Sequence, residues 1–252
     1  MDEGFLTPQQ LAAAERTYLY ALMANNAYAD GGQYEIPGWT RLARYESTSG
    51  LGLDEYKRDG ADPLEIVVAF RGTNFTSLKD WKTNVALIEP WQHSEAHSHV
   101  SKLREAHPDA RITVTGHSLG GAIALNMSYR FDGLPAYAFN SSPRAFFAAE
   151  GKDNLRVLVW ETGEALNVIR KPWLAARMQD GERLNFNFAD YNWHNSLKPI
   201  AEHGMYGLSR GLLISAMANG NAHARQVFAA NIRETRAMSN VLEDCAPRCM
   251  AP

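Results

Sequence analysis

The stretch RITVTGHSLGGAIALNMSYRF, residues 111–131, decides the fold. Arg111–Thr115 reads as a buried strand, and Leu119–Phe131 carries apolar residues at helical spacing. Between them, Gly116-His117-Ser118-Leu119-Gly120 fits the pattern G-x-S-x-G. Alone the pattern is weak, because a chain of this length shows it by chance roughly one time in ten. Its setting makes it specific: strand, sharp turn and helix follow one another directly, as a nucleophile elbow requires. Side chains at Gly116 and Gly120 would collide with neighbouring backbone in so tight a turn. Ser118 is then expected clear of the sheet with its hydroxyl exposed. The adjacent helix N-terminus would favour developing negative charge. The plainer alternative is a serine that only caps a helix.

Working outward, LEIVVAF at Leu64–Phe70 is a second apolar run of the doubly buried kind. Further strands are expected at Ala136–Asn140 and Leu155–Trp160. A hairpin is expected over Thr40–Glu46 and Leu51–Lys57, turning at Ser49-Gly50. Helical spacing covers Gln10–Ala27, Leu78–Leu87, Glu95–Ala106, Tyr206–Ala218 and Ala222–Met238. Ala165–Asn195 reads as irregular and rich in aromatics. Strands alternating with helices predict an α/β fold: a mainly parallel sheet with helices on both faces. Ligands in such folds sit at the carboxyl ends of the strands. No repeat, low-complexity tract or linker interrupts the chain, so residues 1–252 read as a single domain.

The 252 residues are 45% apolar, enough for a large core, and the formal net charge is -3. No basic stripe points to nucleic acid, and bulk attraction to an anionic membrane is not implied. The start, MDEGFLTPQQ, does not read as a secretory signal, and no run is long enough to span a bilayer. The expectation is a soluble protein, cytoplasmic or exported without an N-terminal signal peptide. Cys245 and Cys249 read as tail thiols or as a local disulfide. A zinc site would need a second ligand pair nearby.

GHSLGGA at residues 116–122, with VAFRGT at 68–73 and DWKTN at 80–84, resembles the class 3 (fungal-type) lipase family. That family holds triacylglycerol lipases and plant phospholipases within the α/β-hydrolase superfamily, and the resemblance runs over about Leu11–Leu213. It implies an α/β-hydrolase fold and a serine hydrolase acting on ester bonds in lipids. An acyl-transfer intermediate needs donors aimed at its oxyanion. One is the backbone N–H after the nucleophile, at Leu119. The resemblance places the second at Thr73. The alternative there is an ordinary turn, with Arg71 in a salt bridge.

The order in this fold is serine, acid, histidine. After strand Leu155–Trp160 the chain runs Glu161-Thr162-Gly163-Glu164. The resemblance matches Glu164 to the family's aspartate position, with Glu161 as runner-up and Asp180 or Asp190 behind. His203, in a loop before a helix and in an H-x-M setting, is the expected base. His194 is a second loop histidine, and His223 reads as capping or solvating a helix. His93 and His97 share a helix face with His99 nearby, but no acidic or cysteine partner is patterned with them. They read as a solvated face, and no metal is expected. His117 reads as positional.

The family often has a lid before the nucleophile strand, followed by a His-x-Gly-Phe stretch that is absent here. Only Val85–His99 fills the gap. The segment around 165–195 carries Trp173, Leu174, Met178, Phe186, Phe188, Tyr191 and Trp193, and could form a cap or acyl pocket or pack the core. The expected activity is lipid ester hydrolysis, with the substrate at a membrane or micelle surface and no cofactor. The alternatives are a soluble small-substrate esterase or thioesterase, and a degenerate hydrolase serving as a binding module. A leaderless phospholipase also fits a toxin delivered into other cells, which would need a neutralising protein partner.

Overall fold

The computed structural model describes residues 6–28, 32–72, 90–142, 153–162, 182–186 and 204–232. Helix α1 spans Pro8–Asn26. Thr7 caps it by accepting from the Gln10 amide, while the Gln10 side chain accepts from the Thr7 amide at 2.9 Å. This reciprocal box and Pro8 in the first turn satisfy or remove otherwise orphaned donors.

Strands β1 (Trp39–Glu46) and β2 (Gly52–Arg58) form the expected antiparallel hairpin, and β2 runs antiparallel to β3 (Glu65–Phe70). From β3 the sheet is parallel through β4 (Arg111–His117), β5 (Ala136–Phe139), β6 (Arg156–Glu161) and β7 (Glu182–Phe186). The seven strands lie in sequence order. Helices α2 (Pro90–Ala106) and α3 (Leu119–Arg130) precede and follow β4, and α4 (Met205–Ala218) and α5 (Ala222–Asn231) come last.

Each central strand feeds two cores, because successive side chains point to opposite faces. Ile66, Val68 and Phe70 of β3 pack with α2 and α3. Val67 and Ala69 pack with α1, α4 and α5. That double burial is why β3 reads as an unbroken apolar run.

Two expectations fail. Ala165–Asn195 is not irregular throughout, since β7 lies inside it. In that strand Leu184 and Phe186 alternate into the core while Arg183 is exposed. The strand is short and polar at alternate positions, so it carries little hydrophobic signal of its own; pairing with β6 makes it a strand. Phe186 therefore packs the core.

Nor do the α2 histidines form a solvated face. His93 heads the stripe Ala96, Val100 and Leu103, all buried. This is the face α2 turns inward, and one polar residue at its head disguised it. Burial pushes the His93 imidazole down to about 4, so it is neutral near pH 7. His97 stacks on Phe131 with centroids 4.7 Å apart, and His99 Nε2 lies 2.6 Å from Glu55. The expected helix at Leu78–Leu87, the end of the helix expected to reach Met238, and both cysteines lie outside the described residues.

One polar cluster ties the hairpin to α1. Asp54 is fully buried and is paired by Arg44 at 2.7 Å and Arg41 at 3.3 Å. Arg44 also donates to the Asn26 carbonyl at 2.6 Å. A buried carboxylate needs such partners to offset lost hydration. Here the second bond pins the C-terminal end of α1, two residues before Tyr28.

Candidate active site

Ser118 joins β4 to α3 with φ 55 and ψ -120, a left-handed backbone that a side chain-bearing residue adopts only under constraint. The constraint is visible. Its amide donates to Phe139 at 3.0 Å, and its carbonyl accepts from Ala122 at 3.2 Å and Ser142 at 2.9 Å. Its side chain makes no capping bond to α3, so it is not there as a helix cap. The serine is buried, whereas an exposed hydroxyl was expected. The physical reason is that the chain ends after β3 and β5 close on it, at Gly72 and Ser142.

The glycines act as expected. A Cβ on Gly116 would overlap the Gly120 carbonyl and come within 2.8 Å of the Gly121 nitrogen. A Cβ on Gly120 would overlap the Phe70 carbonyl oxygen and come within 2.8 Å of the Arg71 carbonyl carbon. The first turn of α3 thus lies directly on the end of β3. Gly120→Ala should cost about 3 kcal/mol or more, since the obstacle is backbone and cannot rotate away. Gly207→Ala in α4, where a Cβ meets nothing within 4 Å, should be neutral or slightly stabilising. Denaturant unfolding of both variants checks this; equal stabilities would mean that α3 and β3 are not in contact.

The end of β3 is held from two sides. The Arg71 amide donates to the Gly52 carbonyl at 2.8 Å, and its guanidinium pairs with Glu46. Gly72 is wedged on the elbow: a Cβ there would meet the Tyr28 hydroxyl, the His117 carbonyl at 2.6 Å and the Ser118 Cβ at 3.1 Å. Tyr28, just beyond α1, has its hydroxyl 2.8 Å from His117 Nδ1 and packed against Gly72. Burial of the phenol raises its pKa above the ordinary tyrosine range, so it stays protonated.

Asn140 ends β5 in the left-handed region at φ 41, which asparagine tolerates. Its side chain accepts from the Glu161 amide at 2.9 Å. Two residues on, Ser142 donates to the Ser118 carbonyl, so one short segment links the elbow to the end of β6. Glu161 is buried there. Its strand lies two places from β4, about 10 Å at ordinary strand spacing. Thr162 anchors the chain beyond it by donating to the Phe186 carbonyl at 2.7 Å.

Of the expected site residues, Ser118, Leu119 and Glu161 are described and stand at the carboxyl end of the sheet. As the first residue of α3, Leu119 has an N–H with no acceptor one turn back in the helix. His223 sits in α5 with both ring nitrogens engaged: Nε2 donates to the Pro37 carbonyl at 2.7 Å, leaving Nδ1 to accept from Tyr18 at 2.6 Å. Thr73, Glu164, Asp180, Asp190, His194 and His203 lie outside the described residues. Tyr28, Asn140 and Ser142 went unnoticed in the sequence, whereas Gly72 stood within the motif VAFRGT with no role given to it. Of the three, Asn140, an Asn at a strand end before Ser-Ser-Pro, carried a local signal.

The model of the phospholipase-like family described as the Tle-like phospholipase domain matches residues 19–144. This chain belongs to the Tle-like phospholipase domain family. The matched span runs from α1 through β5 and holds Tyr28, Gly72 and the whole elbow. The parallel strands β3 to β7, with helices packed on both faces, give this phospholipase-like family member an α/β fold. A search of curated proteins finds no match.

Solved structures with similarity include a lipase from Rhizopus microsporus var. chinensis. It is 20% identical, with 62% of this chain and 68% of that chain covered and a TM-score of 0.41. A triacylglycerol lipase from Penicillium expansum is 18% identical over 71% and 81%, with a TM-score of 0.46. Lipase II from Rhizopus niveus is 20% identical over 67% and 78%, with a TM-score of 0.44. No helix among the described residues of this Tle-like domain is long and apolar enough to cross a membrane.

Proposed function

We propose that the protein is a serine-dependent lipid ester hydrolase that acts on phospholipid. The observation that carries this is Ser118, held left-handed between β4 and the N-terminus of α3 with Gly72 against it. Ser118 attacks the ester carbonyl. His203 takes the hydroxyl proton and returns it to the leaving alcohol, and Glu164 holds the imidazole in the productive tautomer. Leu119 N–H and Thr73 stabilise the oxyanion.

Three features support these roles. Thr73 follows Gly72, which touches the elbow. His203 immediately precedes Gly204, the N-cap of α4, and the first turn of α4 meets the chain just after Tyr28. There Tyr206 stacks on Tyr34 and lies 3.0 Å from where a Cβ on Gly32 would be. Glu164 follows β6, whose distance from β4 leaves room for an imidazole between acid and serine.

Family membership supports phospholipid as the substrate class. Hydrolysis should be faster on phospholipid vesicles or micelles than on short soluble esters, because apolar contact with the aggregate adds binding at roughly 25 cal/mol per Å². A panel of phospholipids, triacylglycerols and short esters tests this, with Trp173→Glu expected to weaken the preference for vesicles. A marked preference for short soluble esters would leave a hydrolase and remove the lipid substrate.

A further inference from the structure

Tyr28 reaches the site from far away in the chain. Its hydroxyl touches two residues at once: His117, immediately before the serine, and Gly72, immediately before Thr73. With its oxygen packed against Gly72, the phenol hydroxyl lies 2.8 Å from His117 Nδ1 and can donate to it.

We infer that Tyr28 is a positioning residue of the hydrolase: its hydroxyl sets the spacing between the nucleophile elbow and the chain that carries the second oxyanion donor. This rests on the reading of Ser118 and Thr73 given above. The geometry demands such a device. The register of β3 with β4 ends at Phe70 and Gly116, two residues short of Gly72 and Ser118. On the outer side, Arg71 is clamped to Gly52 and Glu46. On the inner side, Tyr28 bridges the remaining gap and is itself held by the end of α1, which Arg44 pins through the Asn26 carbonyl. The absence of a Cβ at Gly72 lets the phenol, the His117 carbonyl and Ser118 approach one point. Transition-state stabilisation is sensitive to such spacing, because an oxyanion donor displaced by about 1 Å loses much of its effect.

The test is Tyr28→Phe, which keeps the ring, beside Tyr18→Phe as control. Tyr18 lies on α1, the helix that leads to Tyr28, but its hydroxyl bonds Asn221 and His223. Amide hydrogen exchange in peptides covering Gly72 should quicken in Tyr28→Phe and stay as wild type in Tyr18→Phe. Ester turnover should show kcat lowered roughly 10- to 100-fold in Tyr28→Phe with KM within about twofold. Tyr18→Phe should keep wild-type kcat. Unchanged exchange at Gly72 in Tyr28→Phe overturns the inference whatever the activity. So does faster exchange with wild-type kcat, or an equal fall in kcat in Tyr18→Phe, which would mark a general loss of stability. A wild-type protein that hydrolyses no ester overturns the hydrolase reading and this role with it. That failure is told apart because exchange still quickens in Tyr28→Phe.

Discussion

Ser118→Ala is expected to lower turnover by roughly 10³-fold or more while leaving the fold intact. The expectation follows from the local structure. The side chain makes no capping bond to α3, and the backbone bonds to Phe139, Ala122 and Ser142 do not involve the hydroxyl. Removing the oxygen therefore leaves these backbone bonds of the elbow in place. The substitution keeps a Cβ, so the cost of φ 55 is unchanged. A fluorophosphonate probe should label wild-type protein and leave Ser118→Ala unlabelled, with the two melting within a few degrees of each other. Labelling that persists in the variant would place the nucleophile elsewhere.

Glu164→Gln is expected to cost up to roughly 10⁴-fold in turnover, and Glu161→Gln far less. The amide keeps the shape of the side chain but stabilises the wrong imidazole tautomer and cannot balance an imidazolium. The comparison has force because Glu161 is a serious rival. It is buried at the carboxyl end of β6, and period two puts it on the strand face shared by Val157 and Val159. That face is the one α1 and α4 cover, and His203 precedes α4. Against it, the Glu161 backbone is already committed to the strand by pairing with β7 and by the bond to Asn140. Glu164, three residues further along the chain, is the position that the resemblance matches to the family's acid. Steady-state kinetics of both variants decide the matter. Wild-type turnover in Glu164→Gln with a collapse in Glu161→Gln would move the acid to position 161.

The parts of this protein legible in the sequence are those whose physics is local. The elbow could be read at Gly116–Gly120 because the turn needs its glycines and serine within a few residues of one strand and one helix. Strand β3 could be read because burial on both faces leaves an apolar residue at nearly every position. Helix α1 announced itself through its periodicity. Strand β7 did not, because ERLNF has only two apolar positions and becomes a strand by bonding to β6. His93 did not, because a histidine at the head of the buried stripe of α2 looks polar until Asn126 and Arg130 of α3 surround it.

By itself the sequence determined the class of fold and the strand–turn–helix elbow around Ser118. Each depends on short stretches whose backbone geometry is set by their own residue types. The tertiary structure alone decided what surrounds Ser118. Gly72 lies against it because β3 and β4 pair in one register, and Tyr28 meets His117, 89 residues away, because α1 packs across that register. Nothing in the residues near Tyr28 encodes that meeting. It arises only once the strands are aligned and the helix is seated, since a contact between distant residues is fixed by the packing of whole elements.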